Sequence, residues 1–356
     1  MLGPADLPEY LITRGLLSKD CVFRGDLSIQ VASRRNKNFI VKTQTEGLFV
    51  KQGDSTQHGD LTVAAEASLY QLCEALPSLA TVKSDLPRAI HFDPQKTILI
   101  LEFLTNATNS NAVFTSLSSQ HLVQFGQSLG RTLARIHEVS IVGYDDSAFL
   151  RTRYPWIFTL NAPASEVLDI LSPASQSVLK IAQESSIIRD RIYELATAWA
   201  AICLVHGDLK FEHVLLSKRP NLPPKPYIID WEMVQLGDPA WDVAGILQDV
   251  IALWLAPFDD DILAGDVFVN SISERLRSLH PFTSSFFNSY ILARSCTHRT
   301  DFLHRTTLYA GLRLIQLAFE VSQHVQVTST RAIVFMQVAE NVLANPELAR
   351  SELFSL

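Results

Sequence analysis

From Leu27 onward, apolar and polar residues alternate in short runs. SIQVA and FIVKT flank the polar stretch RRNKN, and GLFVKQ follows the turn TQTEG, a pattern that predicts antiparallel strands. The period changes over 62–76, where Leu69, Leu72, Cys73 and Leu76 recur at helical spacing before Pro77 stops the run. RAIHF, the turn DPQK and TILILEFL predict two more antiparallel strands. The polar run TNATNSNA, residues 105–112, reads as a linker by composition. It sets a small sheet lobe with one helix, residues 1–104, against the remainder, residues 105–356.

The second part is mostly helical. Ser118 or Ser119 is the expected N-cap of a helix that lines up Leu122, Phe125, Leu129, Leu133 and Ile136. Further helices are expected over 186–202, 240–255, 282–297, 301–324 and 331–343. Leu308, Leu312, Ile315, Leu317 and Phe319 form a core stripe, and whether Arg305 and Arg313 beside them face an acceptor cleft is not decided by the sequence. The regularity breaks at LVHGDLKFEHVLLS, a Pro-rich turn, and YIIDWEMV, which read as a loop and hairpin. The fold class is α+β. No long repeat recurs, so a solenoid or propeller is excluded.

Composition narrows the function. With 356 residues, the chain exceeds the usual size of a single hydrophobic core. Lys plus Arg is 30 against 37 Asp plus Glu, a net charge of -7, so the basic footprint of nucleic-acid binding is missing. Only 19% of residues are charged, and this points to leftover apolar surface that a protein partner would cover. The longest apolar run, residues 250–258, is too short to span a bilayer, and the start MLGPADLPEY lacks the features of an export signal. A cytoplasmic protein without membrane contact is expected. Cys21, Cys73, Cys203 and Cys296 are scattered without a C-x-x-C pair, so neither a disulfide framework nor a zinc site follows.

The chemistry concentrates in two places. Asp208 stands in HGDLKFEH at the end of the apolar run AICLV, and Asp230 follows the apolar YII. Phosphoryl transfer needs such a layout, with one carboxylate near the attacking hydroxyl and another on magnesium beside a further ligand from the first loop. Either aspartate alone equally suits a turn; the pair is the informative feature.

HGDLKFEHVLL, then IIDWE, then GDPAWDVA resemble the aminoglycoside and choline kinase-like phosphotransferases, which share the protein-kinase fold. The resemblance extends over nearly the whole chain and implies a bilobal protein-kinase-like fold, with a small antiparallel-sheet lobe and a larger helical lobe. By position it implies that Asp208 orients the acceptor hydroxyl and takes its proton, and that Asp230 binds Mg2+. Lys51 resembles the sheet lysine on the nucleotide phosphates, with Glu66 as its helix partner, although a solvated strand-end lysine is also consistent with the local sequence. Glu102, Phe103 and Leu104 resemble the hinge that meets the base of ATP or GTP through its main chain. His206, Asp238 and Asp242 resemble braces of the loop.

Three positions depart from the family pattern. His213 stands where the family has Asn; as a metal ligand its imidazole would favour Mn2+ over Mg2+, and a hydrogen-bonding strut is the equal alternative. RRNKN has no glycine, which leaves Arg34, Arg35, Lys37 and Asn38 as side chains for phosphate contact, or as an exposed basic turn. Lys210 follows Asp208 as in Ser/Thr protein kinases, and a cation there neutralises charge on the transferred phosphoryl group. The acceptor is therefore expected to be a hydroxyl-bearing small molecule or Ser/Thr of a precursor peptide. A partner lyase or a homo-oligomer fits the low charge. The alternative is a pseudokinase that binds a nucleotide or a partner with impaired catalysis, suggested by His213 and the missing glycines.

Overall fold

The computed structural model describes residues 2–32, 36–54, 59–139, 153–217, 223–256, 266–294 and 298–356. Alternating residues build an antiparallel sheet from β1 (Ser28–Val31), β2 (Lys37–Lys42), β3 (Gly47–Gln52), β4 (Ala89–Asp93) and β5 (Ile98–Glu102), in the order β1-β2-β3-β5-β4. Successive side chains of a strand point to opposite faces. Phe39, Val41, Leu48, Val50, Ile98 and Ile100 therefore share one face, where they bury Leu7, Tyr10 and Leu11 of α1 (Leu7–Thr13). Leu99 and Leu101 join the other core with Val63, Leu69 and Leu72 of α2 (Gly59–Ala75). Lys51, next to Val50 on β3, is thereby turned toward α2.

Helix α1 was not legible in the sequence because it is short and its stability comes from the sheet. It is tied down by Asp93, which accepts from Tyr10 Oη at 2.9 Å and pairs with Arg14. Burial would raise the Asp93 carboxyl, but the Arg14 and Tyr10 hydrogen bonds bring it down to about 2.

Residues 105–112 are more than the expected polar linker. β6 (Ala107–Asn109) pairs with β8 (Val214–Ser217), and Asn109 Nδ2 donates to the Glu212 carbonyl at 2.6 Å. Polar side chains that suggest a loose loop are here occupied in fixing the entry to the second half. β9 (Lys225–Ile228) completes that three-stranded sheet, and β7 (Cys203–Val205) pairs with β10 (Gln235–Gly237).

Helices pack around these ladders: α3 (Ser119–His137), α4 (Pro173–Glu184), α5 (Ser186–Thr197), α6 (Pro239–Leu255), α7 (Asp266–Ala293), α8 (Arg299–Ser322), α9 (Thr330–Ala344) and α10 (Pro346–Phe354). Ser118 is the N-cap of α3 and accepts from His121 N; Leu122, Phe125, Leu129, Leu133 and Ile136 are all buried. The helix expected over 186–202 stops at Thr197, and Ile202 N instead donates to the carbonyl of Gly237, the last residue of β10. The helix expected from 282 starts at Asp266 and carries Pro281 in its interior; its packing on α3 outweighs the local cost of the proline. Helices α4 and α10 were not expected, although each opens with Pro in its first turn. In the α8 stripe Leu317 is only half-buried, whereas Leu308, Leu312, Ile315 and Phe319 are core.

Among the described residues, Cys21, Cys73 and Cys203 are free thiols; Cys296 lies outside them. None of the described helices is long and apolar enough to cross a membrane.

The α3–α7 contact depends on two glycines. A Cβ on Gly126 would stand 2.6 Å from the Phe282 carbonyl oxygen, and one on Gly130 would stand 2.3 Å from that of Phe286. On an exposed helix Gly→Ala gains about 1 kcal/mol. At this interface Gly130→Ala is expected to cost about 1–3 kcal/mol through overpacking, read as a lowered Tm by calorimetry; an unchanged or raised Tm would contradict the close-contact account.

Candidate functional site

The site forms where the sheet meets the loops of the second half. Lys51 Nζ, 3% exposed, lies 2.6 Å from Glu66 Oε2 of α2, pairs with Asp230 Oδ1, and stands 3.8 Å from Glu232 Oε2. Burial would lower the Lys51 pKa, but Glu66, then Asp230 and Glu232, raise it well above the ordinary lysine range. The ammonium is protonated. Asn36 Nδ2, from the RRNKN stretch, holds Glu232 Oε2 at 2.8 Å.

Asp230 follows β9 with φ 66° and ψ 54°, the left-handed conformation that Asp tolerates better than most side chains. Buried Trp231 behind it donates to the Ile228 carbonyl at 3.0 Å and pins the turn. Burial would raise the Asp230 carboxyl; Lys51 and His213 outweigh it and depress it strongly.

The second loop leaves β7 at Val205. Gly207 has φ +84°, and a Cβ there would lie 2.4 Å from the Met233 carbonyl oxygen, so the turn requires glycine. Buried Asp242, in the first turn of α6, accepts from His206 N at 2.6 Å and Gly207 N at 3.0 Å. His137 Nε2 approaches the same carboxylate at 3.2 Å, and its Nδ1 meets Tyr290 Oη at 2.8 Å. Trp241 Nε1 donates to the Gly207 carbonyl at 2.9 Å. These contacts aim Asp208 into the cleft. Asp238 does not reach it: it caps α6 at Ala240 N and pairs with Arg305 at 2.6 Å.

Asp208 Oδ2 is 3.2 Å from Lys210 Nζ, and Oδ1 is 3.6 Å from Arg313 Nη2. Burial would raise its pKa, but Lys210, then Arg313 and His213, hold the carboxyl below its ordinary range. His213 joins the two aspartates: Nδ1 is 2.8 Å from the Asp208 carbonyl oxygen and Nε2 is 3.2 Å from Asp230 Oδ2. A carbonyl only accepts, so Nδ1 carries a proton and Nε2 is the atom turned toward Asp230. Burial works against charge on this ring, yet the Asp230 hydrogen bond and charge raise its pKa.

A cavity of about 440 Å³ opens beside these groups. Its walls are apolar at Ala32, Phe49, Leu101, Leu215 and Ile229, and it brings together Asn38, Lys51, Glu66, Glu102, Leu104, His213 and Asp230 from the expected site. Asp208 and Lys210 adjoin it through His213. Arg34 and Arg35 lie outside the described residues. Sequence reasoning missed Asn36, Glu232 and Asp249. Glu232 was visible in IIDWE without a role. Asp249, whose carboxylate accepts from Phe211 N, reads in sequence as the polar face of a helix; burial pushes its carboxyl up to about 6.

The phosphotransferase enzyme family matches the chain over residues 29–278. No curated protein matches its sequence. Among solved structures, the Plasmodium vivax ethanolamine kinase is similar with a TM-score of 0.58 at 14% identity, covering 93% of this chain and 86% of that one. A choline/ethanolamine kinase family protein from Mesorhizobium loti has a TM-score of 0.53 at 14% identity, with 96% of each chain covered. An ADP-bound aminoglycoside phosphotransferase has a TM-score of 0.55 at 13% identity, covering 96% and 99%. At these identities the likeness is one of fold.

His206 provides a pH test of the loop. Its Nε2 donates to the Ile229 carbonyl at 2.9 Å and its Nδ1 accepts from Asp208 N at 3.3 Å, the pattern of a neutral ring. Burial, then His213, lowers its pKa from 6.5 to about 4. The unfolded chain therefore binds a proton that the folded chain refuses, and stability falls as pH drops through that window. In urea titrations between about pH 7 and pH 4, His206→Gln is expected to remove roughly 3 kcal/mol of the wild-type fall. Equal slopes in both proteins would refute the neutral-ring assignment.

Proposed function

Because the chain belongs to the phosphotransferase enzyme family, we propose that it moves the γ-phosphoryl group of ATP or GTP to an alcohol hydroxyl, with Asp208 as the base. The observation that carries this reading is the convergence of Lys51, Glu66, Asp230 and His213 along one cavity, with Asp208 joined to it through His213. It also weighs against a pseudokinase, since the ionic groups of the reaction are present and mutually placed.

Lys51, steadied by Glu66, is the fixed cation for the nucleotide phosphates. The main chain at Glu102 and Leu104 and the apolar walls suit the base, and Asn38 and Arg35 are the proposed phosphate contacts of the glycine-free loop. Asp208 is ionised and partly exposed at the cleft, so its carboxylate accepts the hydroxyl proton and orients the oxygen. Lys210, beside that carboxylate, offsets the negative charge brought by the phosphoryl group.

A divalent cation fits the donor set on charge. Glu66, Asp230 and Glu232 surround one ammonium, and this leaves net negative charge that Asp230 and His213 can direct to a metal. Bound there, Mg2+ or Mn2+ neutralises phosphate charge. The His213 nitrogen supports a preference for Mn2+ over Mg2+.

Lys210 supports Ser/Thr of a precursor peptide as the acceptor, in the manner of a protein kinase. The likeness to an ethanolamine kinase and an aminoglycoside phosphotransferase supports a small-molecule hydroxyl. The nucleotide requirement supports a cytoplasmic place of action.

Nucleotide turnover and nucleotide binding separate these roles. Asp208→Asn is expected to lower kcat by about 10² to 10⁴ while the nucleotide Kd stays within a few-fold. His213→Asn, assayed in parallel, is expected to shift the optimum from Mn2+ to Mg2+. Unchanged turnover in the first variant removes Asp208 as the base, and unchanged metal dependence in the second removes His213 as a ligand.

The low charged fraction of the chain, 19%, is the feature that supports a partner chain, either a second copy or a lyase. Light scattering of the purified protein, alone and with products of adjacent genes, is expected to show a complex; a monomer that binds none of them would exclude it.

A further inference from the structure

Arg313 is an arginine in the wrong place for a core residue. It sits in the middle of α8 with 2% exposure, among Leu312, Leu314 and Ile315, which are fully buried. Its Nη2 donates to the Leu209 carbonyl at 3.1 Å, whereas Nε and Nη1 are buried without a hydrogen-bond acceptor. A buried guanidinium with unmet donors is costly, and an apolar side chain would pack the same volume without that cost. The charge must therefore be compensated by something specific.

Its surroundings supply that compensation. The Asp208 carboxylate is 3.6 Å from Nη2. The guanidinium also stacks 4.9 Å from the centroid of Trp241, the residue whose indole holds the Gly207 carbonyl. Opposite, α6 presents Gly245, where a Cβ would lie 2.1 Å from the Leu209 carbonyl oxygen and 3.0 Å from Arg313 Cζ. The backbone of α6 thus leaves room for both the arginine and the carbonyl it holds. One turn on, Asp249 accepts from Phe211 N. The segment from Gly207 to Phe211 is held at every second residue, Gly207 by Trp241, Leu209 by Arg313 and Phe211 by Asp249.

We propose that Arg313 is a positioning residue for phosphoryl transfer: from α8 it fixes the Leu209 carbonyl and stands behind Asp208 as an immobile countercharge, in a space kept open by Gly245. The inference rests on the reading of Asp208 as the base. It adds a residue about a hundred positions further along the chain and outside the family match, which ends at 278. Lys210 is the other cation on Asp208, but it is more exposed, at 23%, and carried on the loop itself. Arg313 differs in that it belongs to the rigid core, so it can hold the loop in place as well as neutralise it.

The test compares Arg313→Lys with Arg313→Gln, using ATP hydrolysis by water as the turnover assay and calorimetric titration with ADP as the binding assay. Lysine keeps the charge and glutamine keeps only a donor. Arg313→Lys is expected to stay within about fivefold of wild-type kcat, and Arg313→Gln to fall about 10- to 100-fold, with ADP affinity unchanged in both; displacement of a catalytic group by about 1 Å has effects of this size. Equal turnover in the two variants, or a loss that appears in ADP affinity instead of kcat, overturns the proposal. Should Arg313→Gln fail to fold, Arg313→Lys decides alone, with a larger than fivefold loss counting against. Unfolding of both variants assigns Arg313 to the core only and also overturns it. Failure of the underlying reading looks different: Asp208→Asn would then turn over ATP as fast as wild type.

Discussion

The buried ammonium of Lys51 is the constraint around which the two halves are organised. It is 3% exposed and faces Glu66 from the first half and Asp230 and Glu232 from the second. A lone charge at such depth would be untenable, so burying it demands that carboxylates be delivered from elements distant in sequence. The sheet register does the first part by turning Lys51 toward α2. The left-handed turn at Asp230 does the second. Around that one cation stand three carboxylates, and His213 Nε2, 3.2 Å from Asp230 Oδ2, is the next group to meet them.

The other half of the site is held by polar groups inside an apolar core. Asp242, fully buried, takes two main-chain N–H groups of the loop and is met by His137, itself anchored on Tyr290. Satisfied networks of this kind fix one geometry, because any displacement leaves a buried donor or acceptor unmet. His206 then ties the loop to the strand that leads to Asp230 through the Ile229 carbonyl. His213 makes the last link, with one ring nitrogen on the Asp208 carbonyl and the other on the Asp230 carboxylate. The histidine that departs from the family pattern thus touches both the Asp208 and the Asp230 loops.

Sequence by itself determined the elements whose pattern is local. The strands from β1 to β5, helix α3 and its apolar face, and the loops carrying Asp208 and Asp230 all follow from alternation, helical spacing and motif order, since the period of the side chains is a property of the backbone. Tertiary structure decided the rest. The seven residues of α1 are too few to stabilise a helix and exist as one only against Phe39, Val41 and Val50. The polar run at 105–112 reads as a linker because nothing local reveals that Asn109 will meet Glu212. Asn36, Glu232 and Asp249 looked like ordinary polar positions, and nothing local decided whether Arg313 faced a cleft, until folding set them against the Lys51 cluster and the Asp208 loop. Their importance lies in the charges and main-chain groups they meet across the fold, and such long-range contacts leave no periodic trace in the order of residues.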